Sequence, residues 1–325
     1  MRAFVTGCAG FIGSHLTDGL LADGHEVLGV DNLLDNYPGE VKRRNLIRAR
    51  ELEAFRFLRL DVSDTELAPL VETCDVVFHL AAEPGVRSSW GGRFGSYERN
   101  NVLATQRLLE TLTRWPEKRV VYASSSSVYG DAERLPTTEE AVPRPFSPYG
   151  VTKLAAEHLC SLYHRNFGLA TVSLRYFSVY GPRQRPDMAF NRFCRAALAG
   201  ESLTVFGDGR QTRDFTFVDD VVAATRAAAV SPAAPGGVYN VGGGSRVSVN
   251  EALELIASFH GPLDVRYVET ERGDVRDTGA GIARARRDLG FCPGTTVEEG
   301  LRAEFEWMAS HSARKPRARG RVVAG

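Results

Sequence analysis

Two side chains four residues apart could together move a proton to or from an alcohol. Tyr149 and Lys153 are separated by Gly-Val-Thr at the start of a stretch with helical periodicity. Residues i and i+4 share one face of a helix, so the phenol and the ammonium point the same way. A neighbouring ammonium stabilises a phenolate and lowers the pKa of the tyrosine, which makes it a usable base near neutral pH. The spacing predicts a Tyr149–Lys153 catalytic pair, and chance recurrence is the alternative for this motif taken alone.

A run of serines stands ahead of this pair. Ser124 to Ser127 follow the apolar segment Arg119–Ala123, which is predicted to be a buried strand. A serine hydroxyl at the end of that strand could donate a hydrogen bond to an oxygen that becomes a carbonyl. A polar loop without a catalytic part is the alternative.

A glycine-rich turn near the start of the chain could hold a pyrophosphate. Its spacing is Gly-x-x-Gly-x-x-Gly, between a predicted strand and a predicted helix. Small residues let the backbone approach the phosphates, and the helix N-terminus attracts them. Any tight turn favours glycine, so the strand-turn-helix context carries the argument. The predicted contacts are Gly7, Gly10, Phe11, Ile12 and Gly13.

Acidic residues follow the second and third predicted strands. Asp31, with Asn32 after it, ends the second strand, where a carboxylate can accept both ribose hydroxyls and repel a 2′-phosphate. This position predicts NAD rather than NADP as the cofactor. Asp61 and Val62 follow the third strand and could reach the adenine. A turn or cap role is the alternative for Asp61.

The elements that must position these side chains alternate short apolar runs with amphipathic stretches. This rhythm is typical of βαβ units and predicts an α/β fold with a Rossmann-type doubly wound parallel sheet. The predicted strands are Ala3–Thr6, Glu26–Val30, Arg56–Arg59, Val76–His79, Arg119–Ala123, Thr171–Arg175 and Val238–Val241. The predicted helices include Ser14–Asp23, Val102–Arg114 and Tyr149–Asn166.

The rhythm breaks beyond Arg175, where Gly and Pro cluster. We therefore predict a Rossmann domain over residues 1–175, with returning segments near 212–242, and a smaller C-terminal α/β substrate domain, mainly residues 176–310. Residues 311–325 are basic, with little to bury, and are predicted to form a disordered tail.

The composition argues against several other classes of protein. Lys and Arg number 40 and so do Asp and Glu, so no global field recruits nucleic acid or a membrane. The five cysteines lack Cys-x-x-Cys spacing, and the histidines do not cluster, so we expect no metal and no disulfide framework. No secretory signal or membrane-length apolar run is evident, and we expect a cytoplasmic protein.

Taken together, these motifs resemble the extended short-chain dehydrogenase/reductases of the NAD-dependent sugar-nucleotide epimerase and dehydratase group. The resemblance covers about residues 2 to 308. It implies that Tyr149 is the base, that Ser125 is the catalytic hydroxyl, and that Lys153 also holds the nicotinamide ribose. Further contacts to the cofactor are implied for Leu80, Ala81, Ala82, Asn101 and Tyr176.

The same resemblance implies where a UDP-sugar binds and how the chain associates. Arg213 is expected to bind the diphosphate, with Arg185 as a second candidate. Helices Val102–Arg114 and Tyr149–Asn166 are expected to form the four-helix interface of a homodimer. Residue Arg87 is expected in the substrate wall, and an exposed loop is the alternative.

The uridine end is expected to contact a separate set of residues. Met188 to Phe190 are expected to line the uracil pocket. Asp274 resembles a ribose contact of the family, and Arg276 is an alternative donor because Arg272 lies out of the family's register.

The residues after Ser125 bear on the reaction. Family dehydratases have Asp-Glu there, and family decarboxylases have a glutamate at the second position, whereas this chain has Ser126 and Ser127. Hydroxyls are poor acids and bases but good donors to anions. Ser178 stands where UDP-glucuronate 4-epimerases usually have threonine and UDP-glucose 4-epimerases have asparagine. We hypothesise that these three serines cradle a sugar carboxylate; a structural polar turn is the alternative.

The predicted function is UDP-glucuronate 4-epimerase, an isomerase that interconverts UDP-glucuronate and UDP-galacturonate. It would oxidise C4 transiently with bound NAD and return the hydride to the opposite face. A UDP-hexose 4-epimerase acting on glucose or N-acetylglucosamine and a UDP-glucuronate decarboxylase are the enzymatic alternatives. An NAD-binding regulator is the non-enzymatic alternative.

Overall fold

A computed structural model describes residues 1–270 and 275–312 of the chain. Within these residues it contains thirteen strands and twelve α-helices. The strands are β1 (Arg2–Thr6), β2 (Glu26–Asp31), β3 (Phe55–Arg59), β4 (Val76–His79), β5 (Arg119–Ser125), β6 (Ala170–Tyr176), β7 (Val179–Tyr180), β8 (Leu203–Phe206), β9 (Thr212–Asp214), β10 (Thr216–Phe217), β11 (Val238–Val241), β12 (Arg246–Ser248) and β13 (Val265–Val268). The helices are α1 (Phe11–Ala22), α2 (Gly39–Asn45), α3 (Ile47–Arg50), α4 (Ala68–Val71), α5 (Phe94–Tyr97), α6 (Ala104–Leu112), α7 (Pro148–Phe167), α8 (Ala189–Ala199), α9 (Val218–Val230), α10 (Val249–His260), α11 (Ala283–Leu289) and α12 (Val297–Ser312).

Seven parallel strands form the central sheet, in the order β11-β6-β5-β4-β1-β2-β3. The chain builds outwards from β1 in one direction and from β4 in the other. The strand order therefore reverses between β1 and β4, and ligands of doubly wound sheets bind outside the carboxyl ends of the strands at such a point. The predicted Rossmann-type fold class is confirmed. Each predicted strand is present, with ends displaced by at most two residues.

The sheet is buried on both faces, because helices cover each side of it. Phe4 and Val5 of β1 and Phe78 of β4 are fully buried. Gly29 of β2 lies so close to the first turn that an added Cβ would sit 2.8 Å from the Cys8 sulfur. Close packing thus fixes the turn that follows β1.

Helix α7 carries the Tyr-x-x-x-Lys pair and has well-defined ends. The Ser147 side chain accepts a 3.1 Å hydrogen bond from the backbone N–H of Gly150, and Pro148 occupies the first helical position. Gly168 ends the helix in the left-handed conformation, at φ 72°. Cap, proline and glycine together set where the helix begins and ends.

The predicted helix Val102–Arg114 differs from the structure. A π-helix, Glu98–Leu103, precedes α6 and continues directly from α5. The wider turn carries Asn101, whose side chain bonds the backbone N–H and C=O of Glu83. Helical periodicity alone does not reveal this local change, because it depends on a contact with another loop.

Six short strands pair outside the central sheet, β7 with β10, β8 with β13 and β9 with β12. Helices α8, α10 and α12 pack against one another in this part of the chain. The predicted return of Val238–Val241 to the central sheet is confirmed, because β11 pairs in parallel with β6. The division into domains stays a prediction, and most of the predicted tail, from residue 313, lies outside the described residues. No helix within the described ranges has the length and apolar character to cross a membrane.

Candidate active site

The glycine turn after β1 lies at the point where the strand order reverses. Gly7 has φ 72°, and an added Cβ would come within 2.7 Å of the backbone nitrogen of Ala81. The backbone N–H of Ala81 in turn donates a 3.1 Å hydrogen bond to the Thr6 hydroxyl. The turn and the segment after β4 are thus held close together, with only backbone between them. Such a wall admits a pyrophosphate at the N-terminus of α1.

A cleft of about 1070 Å³ opens beside this turn, and we call it the dinucleotide cleft. It runs from the carboxyl ends of β1 to β3 towards the start of α7. Most of the residues predicted to bind the cofactor lie in the wall of this cleft. They are Gly7, Gly10, Phe11, Ile12, Gly13, Asp31, Asn32, Asp61, Val62, Leu80, Ala81, Ala82, Tyr149, Lys153 and Tyr176.

Asp31 is held from two sides at the end of β2. Its Oδ1 accepts a hydrogen bond from the backbone N–H of Leu33 at 2.8 Å, and its Oδ2 from that of Ala9 at 3.1 Å. Burial raises the pKa of Asp31, while the backbone N–H of Leu33 and the charge of Lys42 act against the rise. The carboxylate lies in the wall of the cleft, where the ribose hydroxyls are expected.

Asp61 caps its own turn and lies in the wall of the cleft, and its contact with the adenine stays a prediction. Its Oδ1 accepts hydrogen bonds from the Ser63 backbone N–H at 2.9 Å and from the Ser63 hydroxyl at 2.7 Å, which is a turn-capping arrangement. Its Oδ2 accepts a 3.5 Å hydrogen bond from Asn32. Asp61 therefore stabilises its own turn and also lines the cleft.

Asn101 lies behind the wall of the cleft. It is 1% exposed, and its amide donates to the Thr152 hydroxyl at 2.9 Å and to the carbonyl of Glu83 at 3.1 Å. Its side-chain oxygen accepts from the backbone N–H of Glu83 at 2.7 Å. Its observed contacts join the loop after β4 to α7.

Sequence reasoning missed several residues of the cleft wall. Leu34, Asn36, Tyr37 and Lys42 come from the segment after β2, which folds back over the opening. The Lys42 ammonium donates to the Leu34 carbonyl at 2.5 Å and to the Asn36 side chain at 2.9 Å, and lies 4.5 Å from the centre of the Tyr37 ring. Their spacing carries no ligand-binding pattern, so only the fold brings them to the site.

The catalytic candidates meet where the dinucleotide cleft reaches α7. Ser125 lies close enough to the Tyr149 hydroxyl to oppose the rise of its pKa, and the Lys153 ammonium donates to the Ala123 carbonyl and lies 4.5 Å from the Tyr122 ring centre. The three predicted catalytic side chains thus come from the end of β5 and the first turns of α7.

The net shift of the Tyr149 pKa in this structure is upward rather than downward, because burial outweighs the groups that favour the phenolate. Burial raises the pKa of Tyr149, and the groups that oppose the rise are Ser125, through its hydrogen bond, and Arg185, through its charge. Burial also lowers the pKa of Lys153, to about 7. Sequence spacing gave no indication that both groups would be buried or that Arg185 would lie near the phenol.

A second cavity, of about 1260 Å³, lies on the other side of Arg185, and we call it the arginine cavity. The predicted substrate residues in its wall are Arg87, Ser178, Arg185, Met188, Phe190 and Arg213. Arg185 lines both cavities and is paired with Asp187, to which its two nitrogens donate at 3.0 and 2.8 Å. The two cavities therefore meet at Arg185, and the dinucleotide cleft also contains Tyr149.

Arg192 and Phe206 complete the charged wall of the arginine cavity, and sequence reasoning missed both. The guanidinium of Arg87 lies 4.2 Å from the centre of the Phe206 ring, and that of Arg192 lies 5.4 Å from it. Among the described residues, four arginines and one carboxylate, that of Asp187, line this cavity. The side chain of Arg213 also donates to the carbonyls of Val275 and Arg276. Such a wall suits an anion with several charges.

The remaining candidates lie outside these two walls. Ser126 and Ser127 form a half-buried turn after β5, where the Ser127 backbone N–H donates to the Ser125 hydroxyl at 3.1 Å. The Arg276 side chain is exposed, but its carbonyl accepts a 2.9 Å hydrogen bond from Arg213. Asp274 lies outside the described residues.

Comparison with known proteins agrees with this site. The sequence profile of the NAD dependent epimerase/dehydratase family matches residues 3–242. A Bacillus subtilis protein named as an uncharacterised UDP-glucose epimerase, YtcB, is 42% identical over 95% of this chain and 98% of its own length. The structure of UDP-glucuronic acid 4-epimerase from Bacillus cereus, in complex with UDP-glucuronic acid and NAD, superposes with a TM-score of 0.93 at 41% identity, covering 96% of this chain and all of that one. MoeE5, in complex with UDP-glucose and NAD, gives 0.86 at 43% identity over 96% of this chain and all of its own.

A Rossmann sheet with a glycine turn, an acidic residue after β2 and a Tyr-x-x-x-Lys helix defines a nucleotide-dependent enzyme of the short-chain dehydrogenase/reductase class. The chain belongs to the NAD dependent epimerase/dehydratase family. The predicted NAD cofactor and the predicted class, an NAD-dependent sugar-nucleotide epimerase, are confirmed. Among the residues that the structure describes, no group of three or more His, Cys, Asp or Glu side chains could hold a metal ion.

Proposed function

We propose that this enzyme is a UDP-glucuronate 4-epimerase. The observation that carries the proposal is the arginine cavity, whose described wall contains Arg87, Arg185, Arg192 and Arg213 and which shares Arg185 with the dinucleotide cleft. A UDP-linked uronate has the diphosphate that every UDP-sugar carries and one further carboxylate, so it gains more from such a wall than a UDP-hexose does. The likeness to the Bacillus cereus epimerase supports the same substrate.

The chemistry requires transient oxidation of the sugar at C4. Bound NAD supplies a hydride acceptor that later returns the same hydride. Tyr149 takes the proton of the 4-hydroxyl group and gives it back when the alcohol is restored. Ser125, which lies close to Tyr149, donates to the oxygen that becomes a carbonyl. In its charged form Lys153, one helical turn from Tyr149, favours the phenolate.

A uronate oxidised at C4 is a β-keto acid, which loses carbon dioxide when its carboxylate bond aligns with the carbonyl π system. Hydroxyls that fix the carboxylate would prevent this alignment while the sugar turns over. Ser178 lines the arginine cavity, and Ser126 and Ser127 follow the catalytic Ser125 on the turn after β5. We assign these three serines to a carboxylate cradle. None of them can act as the acid or base that dehydration or decarboxylation uses in related enzymes.

The second candidate is a UDP-hexose 4-epimerase without a carboxylate requirement. The likeness to YtcB and to MoeE5 bound to UDP-glucose favours it. The two candidates share the catalytic residues and differ in what the cradle binds. A comparison of turnover on UDP-glucuronate, UDP-glucose and UDP-N-acetylglucosamine therefore separates them.

The test is product analysis by NMR after incubation with UDP-glucuronate and no added cofactor. We expect UDP-galacturonate to form; carbon dioxide with a UDP-pentose as the main product would overturn the proposal. Tyr149→Phe should lose at least about a hundredfold in kcat while retaining NAD. Tyr163→Phe is the matched control, because the Tyr163 hydroxyl bonds Glu110, away from the site. A Tyr149→Phe protein with normal turnover would contradict the assigned base.

We also propose that the enzyme is a homodimer formed through α6 and α7. These helices pack on each other, and apolar side chains are exposed on α7, with Val151 at 49% and Leu162 at 52%, and at the end of the π-helix before α6, with Leu103 at 45%. Val151 and Leu162 lie three turns apart on the same side of α7. A partner helix pair would cover this stripe.

A further inference from the structure

A buried ion pair joins the catalytic helix α7 to the neighbouring strand β6. Glu157 of α7 and Arg175 of β6 have side chains that are 4% and 6% exposed. Arg175 donates from Nη2 to Oε1 at 2.6 Å and from Nε to Oε2 at 3.0 Å. This paired geometry is the strongest form of the interaction between a guanidinium and a carboxylate.

The pair is connected to the end of β5, where the catalytic serine lies. The Ser124 hydroxyl donates to Oε2 of Glu157 at 2.7 Å, and Ser124 is the residue before Ser125. Arg175 also donates from Nη1 to the Tyr129 hydroxyl at 2.6 Å. One carboxylate thus ties α7, β5 and β6 together at the level of the catalytic groups.

Glu157 also lies one helical turn beyond Lys153. Burial lowers the pKa of Lys153 to about 7, and negative charge from Cys160 and Glu157 would act against that change. Burial raises the pKa of Cys160 to about 12, so near neutral pH the thiol is uncharged and only Glu157 of the two can oppose the lowering.

The other groups that face Lys153 carry no negative charge near neutral pH. Burial raises the pKa of Tyr149, on the same helix, and that of Tyr122 on β5. Burial lowers the pKa of His79 on β4 to about 3, so this imidazole is neutral. The β5 backbone contributes only the neutral Ala123 carbonyl. Within the described part of the chain, Glu157 is therefore the carboxylate that supports the ammonium.

We propose that Glu157 is a positioning residue of the catalytic site, which holds Lys153 as an ammonium and fixes the serine end of β5 against α7. This inference rests on the catalytic roles proposed for Tyr149 and Lys153, and it holds whichever UDP-sugar is bound. The acid–base step needs a charged Lys153 beside the phenol, so Glu157 sets the pH range in which the enzyme works.

The first test is the pH profile of Glu157→Gln, which keeps an acceptor for Ser124 but removes the charge. Loss of that charge lets burial lower the pKa of Lys153 further. The fall of kcat on the alkaline side should then move to lower pH by about one unit, with kcat about tenfold lower at pH 8. KM should stay within about a factor of three, because no substrate contact is removed. A profile that coincides with that of the wild type would overturn the inference.

Glu110→Gln is the matched control, because Glu110 also accepts a hydrogen bond from α7, from the Tyr163 hydroxyl at 2.5 Å, but lies far from Lys153. Its profile should match the wild type. If the wild-type enzyme turns over no UDP-sugar, the proposed function fails. If the wild type is active and Glu157→Gln has the same pH profile, this inference alone fails.

A double variant separates positioning from mere support of the fold. Glu157→Leu with Arg175→Met replaces the ion pair by apolar groups, a change that often preserves or raises stability. We expect its Tm to exceed that of Glu157→Leu alone, while the alkaline fall of kcat stays at the lower pH. Recovery of the wild-type pH profile together with Tm would show that the pair only supports the fold, and would refute the proposal.

Discussion

The backbone N–H of Gly181 donates a 2.8 Å hydrogen bond to Oε2 of Glu304, 123 residues further along the chain. Glu304 lies on α12 and is fully buried, and its Oε1 has no hydrogen-bond partner among the described residues. Burial raises the pKa of Glu304 to about 8, and the Gly181 N–H acts against the rise. This contact anchors the segment after β7 that carries Arg185 between the two cavities.

The pH dependence of stability should follow from Glu304. The pKa of Glu304 in the folded protein, about 8, exceeds the ordinary 4.5. Its contribution to the free energy of unfolding is therefore fully present below pH 4.5 and is lost as the pH rises through about 8. Glu304→Gln should remove this dependence and raise the free energy of unfolding at pH 8.5 relative to wild type by about 4 to 5 kcal/mol. Thermal unfolding between pH 5 and 9 measures it. Glu306→Gln, an exposed change on the same helix, should follow the wild type at every pH, and equal slopes for all three proteins would contradict the prediction.

Removal of one cradle hydroxyl should change the product ratio. Ser178→Ala should raise the decarboxylated by-product relative to the epimer by about tenfold, the effect expected for losing a hydrogen bond to a charged group. The measurement is NMR of the nucleotide products together with released carbon dioxide. Ser310→Ala, on the exposed face of α12, should leave the ratio unchanged. An unaltered ratio in Ser178→Ala would remove Ser178 from the cradle and leave the family assignment intact.

Cofactor selectivity should depend on Asp31. Asp31→Ser removes the carboxylate that can accept the ribose hydroxyls and repel a 2′-phosphate, so NAD affinity should fall about tenfold to a hundredfold and NADP binding should increase. The NAD content of the purified protein and titrations with both cofactors measure the effect. Asp35→Asn, an exposed carboxylate in the same loop, is the control. Unchanged preference for NAD in Asp31→Ser would place cofactor selection elsewhere in the cleft.

The association of the chain should depend on the exposed stripe of α7. Leu162→Asp introduces a charge that would have to be buried in the proposed interface, which should convert a dimer to a monomer. Sedimentation velocity gives the mass in solution. Val230→Asp alters a side chain that is also exposed, at 70%, but on α9. The same sedimentation coefficient for wild type and Leu162→Asp would exclude an interface centred on this residue.

The sequence predicted those parts of the site that are contiguous or that lie at the ends of regular elements. The glycine turn, Asp31 and the Tyr149–Lys153 pair each depend on one strand or helix, and parallel strands bring their carboxyl ends to one edge. The fold class followed from the same alternation of strands and helices.

The rest depended on how loops pack. Lys42 and Tyr37 reach the cleft because the segment after β2 folds back, and Arg192 meets Phe206 because α8 packs beside β8. The raised pKa of Tyr149 follows from burial, which depends on the complete fold. Periodicity and spacing contain no such information.

Strand β11 shows that the two halves of the chain depend on each other. It covers one side of β6 with its backbone, although more than sixty residues of the other half separate the two strands. A fragment that stopped after β6 would leave that strand as an open sheet edge, able to pair with copies of itself. The nucleotide-binding half is thus expected to aggregate when made alone, and a modular transfer of the cofactor site must include β11.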